Sequence, residues 1–337
     1  MAGTSVGRVG QTPTAQTTVP LAEGGDLDLE RYRGELTGYC YRMLGSTFDA
    51  DDAVQEALVR AWQAADRFEG RSSVRSWLYR IATNVCLDLL RSRQRRALPM
   101  DLSSPVPSST PPVDTAPDHV WLEPVADRDV MPNGADPAEQ AVIRDTVRLA
   151  FVAALQVLPP RQRAVLILRE VLCWPAADVA ELLGTTVVSV NSALQRARAT
   201  LAERHVEPGG DPQELGDADR DLLARYVQAF ERYDMEALVG VLHEDASISM
   251  PPFRMWMQGI DQLPGWYLGH GIGCKGSRLL PMEVSGSPGF AQYKPGPGGR
   301  LTPWCIQVIE VRDGRIAHIH HFLDTRLFAR FGLPAEL

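Results

Sequence analysis

No apolar run in this sequence approaches the roughly 18 residues of a membrane-spanning helix, so no membrane span is expected. The first residues, MAGTSVGRVGQTPTAQTTVP, have no apolar centre, which argues against a secretory signal. Cysteine is sparse: Cys40, Cys86, Cys173, Cys274 and Cys305 are scattered, odd in number and show no CxxC or Cys/His spacing. That pattern excludes a disulfide framework and a zinc module; no metal and no cofactor are expected, and the thiols read as reduced, mostly buried and cytoplasmic. No internal repeat is visible. A net charge of −8 argues against a general coat for nucleic acid, although asymmetry within the chain matters more than the sum.

What is present is a chain of 337 residues with a globular hydrophobic fraction of 45%, long enough for two or three domains. Residues 1–26 are small and polar and are expected to be disordered. Residues 27–96 are helical by period: Leu29, Tyr32, Leu36, Tyr39, Cys40 and Met43 recur at helical spacing. A second helix is expected from an Asp49 cap, with Val54, Ala57, Leu58, Ala61 and Trp62 as its apolar stripe. A third is expected over 74–93. Residues 97–137, rich in Pro, Ser and Asp, read as a flexible acidic linker. In 138–205 helical periodicity returns, with a helix, a tight turn at Gly184 and a second helix, the helix-turn-helix pattern. A short linker at 206–216 precedes 217–337, where two helices lead into strand-like pieces split by Gly/Pro turns. DGR at 313–315 is a hairpin signal, and the class is α+β.

The third helix carries arginines in a segment, 71–96, whose only acid is Asp88. On a wheel of about 100° per residue, Val74, Leu78, Ile81, Val85 and Leu89 share one face. Arg80, Asn84, Arg91 and Arg95 share the other, with Trp77 at the border; Arg71, Ser72 and Ser73 precede the helix. A solvated charged face is the plain alternative, but such faces mix both signs. The segment suits a nucleic-acid strand: arginines for phosphates, Asn84 and the serines for base edges, Trp77 for stacking. In 187–201, Val190, Leu194, Ala197 and Leu201 form the buried stripe of a recognition helix. Asn191, Ser192, Gln195, Arg196 and Arg198 point away from it. Asn and Gln suit adenine and Arg suits guanine in a major groove, while an ordinary helical hairpin with a polar exterior is the alternative.

Together DADDAVQEALVRAWQAADRF, SSVRSWLYRIATNVCLDLLRSRQRR and LPPRQRAVLILREVL with AADVAELLGTTVVSVNSALQRARATL resemble regions 2 and 4 of the extracytoplasmic-function (ECF) subfamily of sigma-70 RNA polymerase sigma factors. The resemblance implies a multidomain fold: an all-α region 2 bundle over 27–96 and an all-α region 4 helix-turn-helix over 138–205. It also implies a factor that directs core polymerase to promoters, without being an enzyme. Arg71, Ser72, Ser73, Trp77, Arg80 and Asn84 would recognise and melt the −10 element. Arg169, Asn191, Ser192, Gln195, Arg196 and Arg198 would read the −35 element. Asp52, Gln55 and Glu56 would face the β′ clamp helices of the polymerase, and the surface around Val165, Leu166 and Leu168 would be partly core and partly against the β flap. Trp174 and Pro175 depart from the usual small turn residues of region 4. Residues 217–337 resemble the SnoaL-like branch of the NTF2-like cone fold, which in such fusions implies regulation in cis. Trp256, Trp266, His318, His320 and Asp324 are candidates to line a pocket for a small-molecule ligand, against the plain reading of a polar sheet face. A one-component, ligand-responsive helix-turn-helix regulator is the alternative function; it has no use for a region 2.

Overall fold

The computed structural model describes residues 28–68, 70, 72–91, 95–132, 134, 136–203 and 216–337. The expected N-terminal tail therefore lies outside the described residues, as does all but Gly216 of the expected second linker. Three helices form the first module: α1 (Arg33–Leu44), α2 (Thr47–Gln63) and α3 (Val74–Leu90). Gly45 ends α1 in the left-handed region at φ 69°, and Ser46 caps α2 by accepting from the Asp49 amide at 3.1 Å. The cap is thus Ser46 rather than Asp49, because the serine hydroxyl sits three residues before the amide it satisfies. Buried Tyr39 donates to or accepts from Thr83 at 2.8 Å and packs edge-on against Tyr79, locking α1 to α3.

The segment expected to be a flexible linker is instead laid across two modules. Trp121, Leu122, Val125, Ala126 and Val130 are buried. Its backbone pairs with itself, Ala97 bonding to Val120 and Leu122 to Ala97, and with the first module, the Glu123 amide donating to the Gly45 carbonyl at 3.0 Å. The buried Glu123 carboxylate accepts from Ser46 at 2.5 Å and faces Arg96, which is bonded to Asp49 at 2.6 Å. Beyond it, a short helix α4 (Asp127–Val130) turns the chain toward the second module. Composition predicts disorder there because it counts local apolar residues; the ordering partners lie far away in sequence.

The second module comprises α5 (Pro137–Val147), α6 (Leu149–Val157), α7 (Pro160–Leu166), a π-turn over Ile167–Val171, α8 (Ala176–Leu182) and α9 (Val187–Ala202). Two buried arginines tie it to α1. Arg42 donates to Thr146 Oγ1 at 2.6 Å, and Arg163 donates to the Met43 carbonyl and to Gln156 Oε1 at 2.6 Å.

The C-terminal module opens with α10 (Asp217–Arg232) and α11 (Met235–Gly240). A six-stranded sheet follows: β1 (Leu242–Ser249), β2 (Trp256–Gln258), β3 (Arg278–Val284), β4 (Ser287–Pro295), β5 (Leu301–Arg312) and β6 (Arg315–Phe322), in the order β2-β1-β6-β5-β4-β3. Two further helices, α12 (Gln262–Leu268) after β2 and α13 (Arg326–Arg330) after β6, complete it. The β5–β6 turn has Asp313 at φ 52° and Gly314 at φ 67°, the double left-handed geometry that the DGR signal predicts. One sheet face, with Ile248, Met257, Phe290, Ile309 and Ile319, packs with Tyr226 and Phe230 of α10 and Trp266 of α12 as a cone interior. The other face, with Val284, Ala291, Ile306, Val308 and Phe322, joins the apolar core of the two helical modules. The linker seals this junction: Val125 and Ser285 exchange two hydrogen bonds, and the Gly286 amide donates to buried Asp127 at 2.8 Å.

Candidate nucleic-acid interface

Helix α3 begins at Ser73, which accepts from the Ser76 amide at 3.1 Å, so that hydroxyl is committed to capping. Asn84 is exposed on the face opposite buried Leu78, Ala82 and Val85. Trp77 is half-buried with its ring against Phe68 at 4.8 Å, which fixes the indole at the border of the polar face. Ser72 is half-buried, and Arg71 lies outside the described residues. The helix stops at Leu90, earlier than the expected 93; Arg91 pairs with Asp88 at 2.9 Å, and Arg95 leaves the helical face and lies 3.9 Å from Asp101.

Arg80 does not stand free. It reaches Glu181 of α8 at 3.1 Å. Beside it, the Trp174 ring packs against Tyr79 at 5.0 Å and a tilt of 53°, with the Arg75 guanidinium 5.5 Å from its ring. The departure noted at Trp174 thus has a structural reason: this side chain, nearly buried, seats the second module on α3. Pro175 provides the N-cap of α8.

Within the helix-turn-helix, Gly184 takes φ 60° at the turn and Thr186 caps α9 by accepting from the Ser189 amide at 3.1 Å. Val190, Leu194, Ala197 and Leu201 are buried as expected. Asn191, Gln195 and Arg196 are exposed and Ser192 is half-buried. Arg198 is exposed but pairs with Glu170 at 2.6 Å. Arg169 is turned inward, donating to the Trp174 carbonyl, and so braces the loop rather than presenting a cation outward. Val165, Leu166 and Leu168 are all buried. They hold the module together and offer no surface to a partner.

On α2, Asp52, Gln55 and Glu56 share the exposed side. Trp62, expected in the buried stripe, is instead 71% exposed, with Val59 partly exposed beside it. At roughly 80° from Val54 on the wheel, Trp62 sits at the edge of the stripe, where periodicity alone does not decide the side.

The five pocket candidates of the C-terminal module do not converge. His318 and His320 share one sheet face, hydrogen-bonded to Ser247 at 2.6 Å and Ser249 at 2.9 Å. Trp256 lies opposite Ser249 in the ladder and donates to the Ser103 carbonyl of the linker at 2.8 Å. Trp266 is buried in the cone interior, behind that sheet, and Asp324 is engaged by Arg326. Glu310 meets His320 Nε2 at 3.4 Å; burial would raise its pKa, but the His320 hydrogen bond, with the charges of His320, His318 and Arg148, brings it to about 2. A cavity of about 530 Å³ does exist, but between modules, walled by Arg144 and Arg148 of the second module, Asp127, and Glu283 and Glu310 of the sheet.

Three family models match the chain: Sigma-70 region 2 over residues 29–96, Sigma-70 region 4 over 148–201 and a SnoaL-like domain over 223–319. The chain is 44% identical to the ECF RNA polymerase sigma factor SigG of Mycobacterium tuberculosis, over 91% of this chain and 83% of that one. It is 28% identical to SigJ of the same organism, over 86% of this chain and 88% of that one. The crystal structure of the SigJ extracytoplasmic function sigma factor is similar in fold, with a TM-score of 0.55 and 23% identity, covering 91% of this chain and 98% of that one.

Proposed function

Because the chain belongs to the ECF sigma factors, which direct core RNA polymerase to promoters, we propose that the arrangement described above is the closed form of a promoter reader. The observation that carries this is the seating of region 4 on the flank of α3 through Trp174 and the Arg80–Glu181 pair. With the two readers packed together, they do not take the separation that two distant promoter elements require. Polymerase spaces them, and two weak sites then act as one through effective concentration. Opening frees Arg80 for a phosphate beside Asn84, with Ser72 on the approach; Arg71 is assigned to the same element from the sequence. Trp77, braced by Phe68, offers its free edge to an unstacked base of the −10 element, an interaction worth ~1–3 kcal/mol.

At the −35 element the exposed trio Asn191, Gln195 and Arg196 reads bases, with Ser192 between them. Arg198 contributes once it leaves Glu170. Polymerase engages the α2 face with Asp52, Gln55 and Glu56, and Trp62 adds an aromatic anchor of the kind that dominates interfaces.

The C-terminal domain acts in cis, without catalysis, by holding the linker against region 2. In support, its histidines satisfy Ser247, Ser249 and Glu310 instead of facing Asp324 across a pocket. A regulatory ligand, if one binds, has the cavity between the sheet and α5–α6 available to it. No described helix is long and apolar enough to cross a membrane; the workplace of such a factor is the cytoplasm.

Run-off transcription with core polymerase tests the assignments. Asn84→Ala and Arg196→Ala are each expected to weaken promoter-dependent initiation by ~1–3 kcal/mol equivalents, the first through the −10 and the second through the −35 element. Unchanged transcripts would remove those residues from the interface.

A further inference from the structure

The first turn of the recognition helix holds a side chain that the polar reading face does not account for. Val188 is 75% exposed, although it is apolar and β-branched and so mildly disfavoured in a helix. The buried stripe of α9, Val190, Leu194, Ala197 and Leu201, fixes the opposite face. At about 100° per residue, Val188 falls at the centre of that opposite face, in line with Ser192 and Gln195 and flanked by Asn191 and Arg196. Val187, at 42% exposure, leans toward the stripe instead. The helix packs on α6, α7 and α8, and Val188 is not among the side chains packed on the core there, so nothing in the fold asks for an apolar group at 188. A single exposed valine is ordinary on a protein surface. This one is continuous with the reading face and sits at the N-terminal end of the recognition helix, the part that enters the major groove.

Only one base carries an apolar group into that groove: thymine, through its C5 methyl. Resting on the reading of region 4 as the −35 reader, we propose that Val188 determines specificity at one −35 position by packing its isopropyl group on a thymine methyl. Asn191, Gln195 and Arg196 read the neighbouring pairs through hydrogen bonds, so Val188 adds shape selection where no donor or acceptor is offered.

Deoxyuridine, which differs from thymine only by that methyl, is the probe. Holoenzyme is assembled with the full-length wild-type chain, Val188→Ala, Val187→Ala or Arg196→Ala. Each is assayed by run-off transcription on a promoter it directs, with every −35 thymine on either strand replaced singly by deoxyuridine. Wild type and Val187→Ala are expected to lose about fourfold at one position, the equivalent of one buried methyl. Val188→Ala is expected to start near that reduced level and to be blind to the replacement. The exposure of Val188 means its truncation leaves the fold intact, and an unchanged melting temperature verifies this. Indifference of wild type to every replacement, with Arg196→Ala still impaired through the −35 element, would overturn the thymine contact and leave the −35 reading standing. If Arg196→Ala and a scrambled −35 element are both without effect, the −35 reading falls and the Val188 proposal with it.

Discussion

Two buried groups at single positions give the protein opposed acid responses. Burial, with the nearby His320, pushes the His321 pKa down to about 4. The unfolded chain then binds a proton that the folded one refuses, so stability is lost as pH falls from about 6.5 toward 4. Burial pushes Asp127 up to about 6, with the Gly286 amide opposing it. There the folded chain keeps its proton longer, and stability is lost as pH rises from about 4 through 6. Asp127→Asn is therefore expected to stabilise by up to about 3 kcal/mol above pH 6 and by nothing below pH 4. His321→Leu should flatten the acid limb between 6.5 and 4. Urea melts across that range check both, and parallel curves for all three proteins would refute the assignments. Trp62 is the other residue-scale case: Trp62→Ala should weaken polymerase binding by roughly 2 kcal/mol or more while leaving the melting temperature unchanged, as titration of labelled core enzyme would read. The sequence marked the acids of this face but put the tryptophan on the wrong side, because a residue at the margin of a stripe is placed by what its neighbours leave uncovered.

At the scale of elements, helical period and turn chemistry were largely legible: the buried stripe of α9, the Gly184 turn and the β5–β6 hairpin stand where spacing puts them. On α3 only Leu78 and Val85 of the expected stripe are fully buried, Val74, Ile81 and Leu89 are half-buried, and Tyr79, Ala82, Thr83 and Cys86 complete the buried side. Three features were not legible. Strand β2 has only three residues, too few for an alternation to register. The order of the linker comes from Gly45, Ser46 and Ser285, far away along the chain. Trp174 reads in the sequence only as a departure from a small turn residue, because its partner Tyr79 lies on another module. This last contact is testable. Trp174→Ala removes a buried aromatic, a change that costs about 3–5 kcal/mol in a packed core. A fluorophore pair on α2 and α9 should then report a larger mean separation, and transcription at limiting polymerase should rise. An unaltered separation would mean that the arginines Arg42 and Arg163 hold the modules without it.

Among the described residues one apolar core runs through region 2, the linker, region 4 and one face of the C-terminal sheet, and a second fills the cone, with Val106 of the linker against it. The parts of the molecule therefore do not behave as beads on a string. Truncation after residue 203 should lower the melting temperature of the remaining chain, because Val125 and Ala126 lose their partners Ser285 and Val284, while polymerase-dependent initiation persists. Scanning calorimetry and run-off assays on the two forms measure this, and an unshifted melting temperature would show the domain to be merely carried. The pocket candidates failed at this scale: sheet alternation put His318 and His320 on a common face correctly, but which face looks outward depends on modules packed against it.

The strand-like course of 120–127 between Gly45 and Ser285 has a kinetic implication. One short stretch is zipped to two bodies at once, so neither body can drift away while the stretch stays bound to both. Release must proceed by unzipping one side, and the intermediate would expose Leu122 or Val125 to water. Such a step is all-or-none within each molecule, so an activating signal should change the fraction of molecules released rather than the degree to which each is loosened.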